Sequence, residues 1–275
     1  MKAPSCRFCG SAGVVKAGWR YNRNGKKQRW LCKSCSRRFT LDDGFLGLWY
    51  GGKAVTKAVD LYHSGLSARG TASYMQRHER KRPSPASIWR WIQRFAERVA
   101  SFMAKLVPKL SNAWHADDGW DWEVMDAETR FWLAVNLTEG WKRTIEQAKT
   151  VLRFAREQAK DRPAKLVTDG FLAYWRASNW VLRWPRCKHW PTDWRDGRGP
   201  RNLVERKIQT TRMRVKTMRG LRRTRTGQGW LEGFRIHYNF VRTHVGLKKT
   251  PAEAAGLRIK LGRNRWLGLI SLSVT

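Results

Sequence analysis

Few acids stand in this chain of 275 residues, whose formal net charge is +35, so acids in apolar surroundings need a physical reason. The stretch Lys165–Arg206 holds two of them. It opens with KLVTDG, a short apolar run that ends on Asp169, and closes with NLVERK, which reads as a helix start carrying Glu205. Thirty-five residues lie between these carboxylates. About 50 residues upstream, a second apolar and aromatic run, AWHADDGWDWEV, carries Asp117 and Asp118. A fold that brings such acids together must offset their mutual repulsion. A divalent cation does so: hard cations such as Mg²⁺ take carboxylate oxygens, and two of them a few ångströms apart drive in-line attack on phosphodiesters.

The charge balance names the partner class. Fifty-six Lys and Arg stand against 21 Asp and Glu, an excess that points to nucleic acid or an anionic membrane. No apolar run is long enough to span a bilayer, and the N-terminus is not signal-like. The expectation is a cytoplasmic, nucleoid-associated DNA-binding protein with no membrane partner. The last ten residues, WLGLISLSVT, read as a strand or a loose end. Part of the count of 17 Trp follows from G-rich codons, so each Trp is not functional by default.

Four of the five cysteines fall in two CxxC pairs, Cys6/Cys9 and Cys32/Cys35, 22 residues apart. Each pair sits in a tight turn, so four thiolates can enclose one Zn²⁺ in tetrahedral array. The intervening segment alternates like a hairpin, with Asn24-Gly25 as its turn. Two separate redox pairs are the alternative, but neither opens a βαβ unit. Residues 1–42 are therefore expected to be a zinc ribbon whose metal replaces a core. Eleven basic residues and two acids in the first 50 make it a DNA-facing module.

Residues 50–108 have helical periodicity. Val55, Val59, Leu61 and Tyr62 form one stripe, and Gly65 ends it. Ser67 is an N-cap for a second helix, and Ser84-Pro85 opens a third. The third helix buries Ile88, Trp91, Ile92, Phe95, Val99 and Phe102. Three helices with a tight first turn fit a helix-turn-helix, with Ser87, Trp89, Arg90, Gln93 and Arg94 on the outer face of the recognition helix. A plain three-helix linker is the alternative.

Residues 111–255 run strand, strand, helix, strand, helix, late helix. AWHADDGWDWEVM and TRFWLAVNLTEG are expected as an antiparallel pair, then an amphipathic helix with Ile145, Ala148, Val151, Leu152 and Ala155 inward. That order suits an α/β fold of the RNase H-like kind. Residues 256–275 are expected to be a C-terminal tail.

At this point the chain resembles the DDE transposases of prokaryotic insertion sequences, closest to family six, in versions carrying a zinc ribbon and a helix-turn-helix. The resemblance rests on CRFCG…LCKSCSRRFT, GLSARGTAS, SIWRWIQRF, WHADD, LVTDGFLAY, NLVERKIQTTRMRVKTMRGL and HYNFVRTHVGLKKTPAEAAG. It implies an RNase H-like catalytic domain with Asp117, Asp169 and Glu205 as catalytic triad, holding two Mg²⁺ or Mn²⁺ per active site beside the one structural Zn²⁺. It also implies that Arg212 holds DNA backbone at the site. Asp118 stands where the family usually has Glu; as the neighbour of Asp117 on a strand it is expected to point to the other face. Lys207 and Ile208 stand where the family often has His.

The implied activity is binding of terminal inverted repeats, metal-dependent cleavage and strand transfer to target DNA by a homodimer or higher oligomer. The alternative is a decayed or domesticated transposase that only binds DNA. Residues 206–225 contain nine basic side chains and no acid, so Arg206, Arg212, Arg214 and Lys216 are expected along the phosphates. Trp175, Trp180, Trp184, Trp190 and Trp194, interleaved with basic residues, either stack on bases or pack inside. His115 is expected on the Asp117 face of its strand, more as a packed residue than a contact. No metal role is expected for Cys187 or His189.

Overall fold

The computed structural model describes residues 4–274 apart from 23–24, 119–120, 139–142, 184, 193–200 and 219–223, with backbone alone at 22, 201–206, 208, 217 and 224. Its first element is a three-stranded antiparallel sheet in the order β1-β2-β3: β1 (Val14–Asn22), β2 (Gly25–Cys32) and β3 (Arg38–Thr40). Asn22 pairs with Gly25; Asn24, expected in the turn, lies outside the described residues. This module has a core of its own, made of only Cys6, Val14, Trp30, Cys32 and Phe39.

Three helices follow, as their caps predict: α1 (Gly52–His63), α2 (Ala68–Glu79) and α3 (Pro85–Met103). The Ser67 hydroxyl accepts from the Gly70 N–H at 2.9 Å and the Ser84 hydroxyl from the Ser87 N–H at 3.1 Å. Each satisfies one of the orphan donors of a helix start. Gly65, at φ +131°, carries the chain out of α1.

The remainder is built on a five-stranded sheet of order β6-β5-β4-β7-β8. Its strands are β4 (Ala113–Asp118), β5 (Asp121–Asp126), β6 (Trp132–Leu137), β7 (Lys165–Thr168) and β8 (Lys188–Pro191). The first three are antiparallel; β7 and β8 add in parallel. Helices α4 (Ile145–Ala159) and α5 (Leu172–Val181) supply the crossovers, and α6 (Arg201–Thr217) and α7 (Thr224–Ile236) follow the sheet. A π-helical turn (His237–Val241), α8 (Pro251–Ala254) and α9 (Arg265–Leu272) close the chain.

Two expectations are corrected here. The run AWHADDGWDWEVM is not one strand but the β4–β5 hairpin. All six residues of β5 are buried, so the alternation that would separate its strands is erased by burial on both faces. The last residues are neither strand nor loose end. Trp266, Leu269 and Ile270, at helical spacing, are buried along α9, which packs on α1 and α3.

Edge strand β6 is covered by side chains rather than by another strand. Asn239 accepts from the Trp132 N–H at 2.8 Å and donates to the Trp132 carbonyl at 2.9 Å. Gln228 does the same for the Leu137 N–H and the Val135 carbonyl, at 2.8 and 3.0 Å. Arg235 reaches the Leu133 carbonyl at 2.9 Å. An edge so paired offers no template for another chain.

Helix α3 packs along α7, so the three-helix module and the sheet share one continuous core. Trp114, Trp122, Trp132, Trp230 and Trp266 lie fully inside it. Much of the unusual Trp content is thus core, each ring contributing about 1.5–3 kcal/mol or more of burial.

Candidate active site

The parallel register of β4 and β7 builds the site. Ala113 pairs with Lys165, Trp114 with Leu166 and His115 with Val167; the same offset carried onward sets Asp169 beside Asp117. Both stand at the carboxyl ends of adjacent strands, where open α/β sheets bind ligands. Gly170, at φ +89°, turns the chain away immediately afterwards. Asp169 Oδ1 accepts the Phe171 N–H at 3.1 Å. One residue earlier, Thr168 Oγ1 and His189 Nε2 share a hydrogen bond of 2.8 Å that steadies this strand end.

Carboxylate oxygens of Asp117, Asp118 and Asp169 all lie within 4.8 Å of one another. Asp118 was expected on the opposite face, and its place in the cluster is a correction. The cause is local: the Asp118 N–H donates to Asp117 Oδ1 at 2.7 Å, turning the Asp117 carboxylate back along its own strand. Arg143 then gathers the other two. Its Nη2 donates to Asp118 Oδ1 at 2.9 Å and to Asp169 Oδ2 at 3.3 Å, while its Nε donates to Asp118 Oδ2. The guanidinium lies over the Phe171 ring at 4.2 Å.

Electrostatics follow this geometry. Burial, with the charges of Asp169 and Asp118 added, pushes Asp117 up to about 6, against the pull of the Asp118 N–H and the Arg212 charge. Burial also raises Asp118, although Arg143 opposes it. Asp118 is held bidentately by a cation of the chain, whereas Asp117 has no such partner among the described side chains. Tyr174 is buried edge-on to Trp122, and burial together with the three carboxylates raises its phenol well above its ordinary value.

Glu205 lies on α6, which packs on β4; its side chain, like that of Arg206, is outside the described residues. Arg212, two turns on, is exposed, and its charge acts on Asp117, Asp118 and Asp121. Under the helix lies a second charged group that sequence reasoning missed. Lys207 and Glu123 form a buried ion pair, and Asp121 stands two residues from Glu123 on β5. Burial, reinforced by the Glu123 charge, pushes Asp121 well above the ordinary carboxylate value. The only sequence signal was Lys207 itself, a departure from the family pattern.

The residues expected on the DNA-contacting face divide. Arg90 and Lys216 are exposed. Ser87 belongs to the Ser84 cap, and Trp89 packs edge-on to Tyr62 at 6.2 Å. Gln93 donates to the Thr226 carbonyl at 3.0 Å and Arg94 to the Leu46 carbonyl at 3.2 Å. Arg214, expected along the phosphates, is engaged by the chain itself: it donates to the Tyr62 and Leu66 carbonyls at 2.5 and 2.6 Å and also to that of Gly65. These carbonyls end α1, where the helix dipole favours a cation.

At the cysteine cluster, the Cys6 and Cys35 sulfurs are 3.7 Å apart, those of Cys9 and Cys32 3.6 Å, and all four lie within 4.8 Å of one another. Zn–S bonds of about 2.3 Å in a tetrahedron give sulfur edges of about 3.8 Å, so the donor set fits zinc. The Cys35 N–H, aided by the Cys9 thiol, pulls the Cys32 thiol down to about 6, against the effect of burial.

Of the loop tryptophans, Trp175, Trp180 and Trp190 are exposed, while Trp184 and Trp194 lie outside the described residues. Lys165 sits over Trp190 at 4.1 Å. Cys187 is buried, which pushes its thiol up to about 11. His115 is buried too, and burial lowers it to about 4.

Residues 116–244, which span the acids of β4, Asp169 and α6, match the family model described as a DDE domain, of the IS240 transposase type. That stretch of the chain is similar to a DDE transposase domain. No curated protein matches the chain. Among solved structures, a chain from the cryo-EM structure of the simian T-cell lymphotropic virus intasome in complex with PP2A regulatory subunit B56 gamma is similar at 16% identity, with a TM-score of 0.40. That match covers 55% of this chain and 56% of the other, so this chain spans little more than half the length of its counterpart. The matched stretch begins after the cysteine module, α1, α2 and α3. No described helix is long and apolar enough to cross a membrane.

Proposed function

We propose that this DDE polynucleotidyl transferase binds the terminal inverted repeats of its own mobile element, nicks them to free 3′-OH ends and joins those ends to target DNA. The observation that carries the reading is the cluster of Asp117, Asp118 and Asp169 at the strand ends of a DDE domain, in a chain of net charge +35. The sheet order and crossovers suit an RNase H-like core.

Asp117, Asp169 and Glu205 would hold two Mg²⁺ or Mn²⁺. The donor set fits: hard oxygens converge here, and burial with the neighbouring carboxylate charges raises Asp117 to about 6. When bound, the metals supply an activated oxygen nucleophile and stabilise the leaving oxygen. The chain's own residues do the rest. Arg212 holds the DNA backbone beside Asp117, and Arg206 and Lys216 extend that phosphate track along α6. Asp118 keeps Arg143 at the mouth of the site. The exposed Trp175, Trp180 and Trp190 stack on bases near the cleaved end.

The Zn²⁺ ribbon and a helix-turn-helix made of α1, α2 and α3 select the element's ends, with Arg90 and Ser87 at the start of α3 as the reading edge. Gln93, Arg94 and Trp89 support that helix from within, because each is engaged by the chain itself. Cleavage at two ends needs two active sites, so the working form is a homodimer or larger assembly on DNA. Its place is the cytoplasm, on the nucleoid.

Strand transfer tests the reading. Purified protein is given a labelled duplex ending in the element's terminal repeat, with Mg²⁺ or Mn²⁺, beside Glu205→Gln. The expected result is joined product that depends on metal and drops by on the order of 10³-fold in the variant. Retarded but uncut DNA, identical for both proteins, supports instead a decayed or domesticated transposase that only binds.

A further inference from the structure

Helix α6 is fastened at two points seven residues apart. Near its start, Lys207 pairs with Glu123 of β5 in the core, and the ammonium lies against the Trp132 ring. Near its end, Arg214 grips the Tyr62, Gly65 and Leu66 carbonyls and stacks on the Tyr62 ring at 4.9 Å. Seven residues are nearly two helical turns, so Lys207 and Arg214 share a face, and Thr211, also buried, lies on it between them. Positions 205 and 212 are likewise seven apart. By the same periodicity they share a face close to half a turn round from the anchors.

Both fastenings are polar where an apolar contact would hold the helix more cheaply. A buried ion pair loses in desolvation most of what it gains in attraction, and packed apolar residues of similar volume are often as stable. What the pair supplies instead is a single satisfied register. An aliphatic side chain at 207 can slide over Trp132, whereas an ammonium there is paired only when it meets Glu123. A charge left without that partner is strongly disfavoured. Arg214 is equally particular, because its fixed fork matches one arrangement of three carbonyls.

We propose that Lys207 and Arg214 are positioning residues that set the roll and height of α6 across β4 and β5, so that position 205 and Arg212 meet Asp117 and Asp169, and that they tie this setting to the α1–α2 turn. The proposal rests on the strand-transfer reading above and adds the device that aligns its third acid. Arg212, between the two anchors, already acts on Asp117 through its charge.

The test compares Lys207→Met, Arg214→Met and the exchanged pair Glu123→Lys/Lys207→Glu with the parent chain. Amide hydrogen exchange is followed over residues 201–217 and over α7. Mn²⁺ affinity is read by electron paramagnetic resonance, and strand transfer is measured at saturating DNA. Each single variant is expected to speed exchange in α6 but not in α7. Mn²⁺ affinity should fall about 10-fold or more, as for other groups that orient metal ligands. The rate at saturating DNA should fall about 100-fold, the cost of a small misplacement, while half-saturating DNA stays within about threefold. The exchanged pair should recover part of the Mn²⁺ affinity lost in Lys207→Met. Unchanged α6 exchange and Mn²⁺ affinity in Lys207→Met overturn the proposal, as does a loss of rate that merely follows the folded fraction. If the parent chain forms no joined product, the strand-transfer reading fails, and the exchange and Mn²⁺ data still decide the anchoring.

Discussion

The two candidate metal sites of this chain pose opposite problems. Among the described residues the small core of the cysteine module holds five buried hydrophobic residues, two of them cysteines, and its four sulfurs lie within 4.8 Å of one another. There a bound ion would substitute for a core that the module is too short to build. The acidic site hangs on a large core shared by the sheet and the helices packed on it. Its difficulty is charge: three carboxylates stand in close contact, one of them raised to about 6, and among the described residues one arginine, Arg143, bridges the other two. Soft ligands in a poor core make a structural site, whereas hard ligands on a rich core make a reactive one.

Cys32→Ser breaks the comparison on its structural side and has the largest expected effect. It should release zinc, remove binding energy of about 10 kcal/mol or more and unfold β1–β3, while the melting of the main core barely changes. Zinc content by mass spectrometry and calorimetry of both transitions check it, and zinc retained at one equivalent contradicts the site.

Arg143→Met sharpens the reactive side. It leaves Asp118, fully shielded, without its partner. Metal-free stability should fall by about 1–3 kcal/mol, and millimolar Mg²⁺ should recover most of that loss by taking the place of the guanidinium charge. Denaturant curves with and without Mg²⁺ measure the difference; a loss that Mg²⁺ leaves untouched would mean that Arg143 only packs.

The next expectation concerns pH. Because Asp117 must be ionised to take a metal, Mn²⁺ affinity at the acidic site should drop as pH falls through about 6, by up to about tenfold per unit. For folding without metal the sign is reversed. The folded value lies above the unfolded one, so this group's contribution is present at low pH and lost as pH rises through about 6. A Mn²⁺ titration flat from pH 7 to 5 would refute the first half.

The smallest effect belongs to a histidine stack away from both metals. His63 and His237 are stacked at 5.7 Å and close to Trp266, and burial lowers His237 to about 3 and His63 well below its usual value. Their contribution is present above the unfolded value near 6.5 and lost as pH falls toward the folded values. His63→Phe should flatten stability against pH between 6.5 and 5 by about 1 kcal/mol per unit at most, measured by urea unfolding across that range.

How much of this was legible depends on whether a residue's partner is local. The CxxC pairs, the Ser67 and Ser84 caps and the stripe from Ile88 to Val99 are set by neighbours in sequence, and they stand where the spacing predicts. Asp117 and Asp169 were legible as acids, but their adjacency comes from the parallel register of β4 and β7, which no local pattern encodes. The β4–β5 hairpin was hidden because β5 is buried on every residue. The carbonyl contacts of Arg214 were not legible, because a positive charge does not announce whether its partner is a phosphate or the carbonyls ending α1. Arg143 and the Glu123–Lys207 pair were invisible for the same reason: their partners lie 25 and 84 residues away.

The central claim is that one chain holds a soft structural ion and a hard catalytic one at these two places. Crystals grown with Mn²⁺ and examined at both the manganese and zinc absorption edges test it directly. The account predicts zinc at Cys6, Cys9, Cys32 and Cys35, and manganese between Asp117 and Asp169 with Glu205 as a further ligand and Arg143 released from Asp169. Manganese absent from the carboxylates, with Arg143 still bridging Asp118 and Asp169, would contradict it.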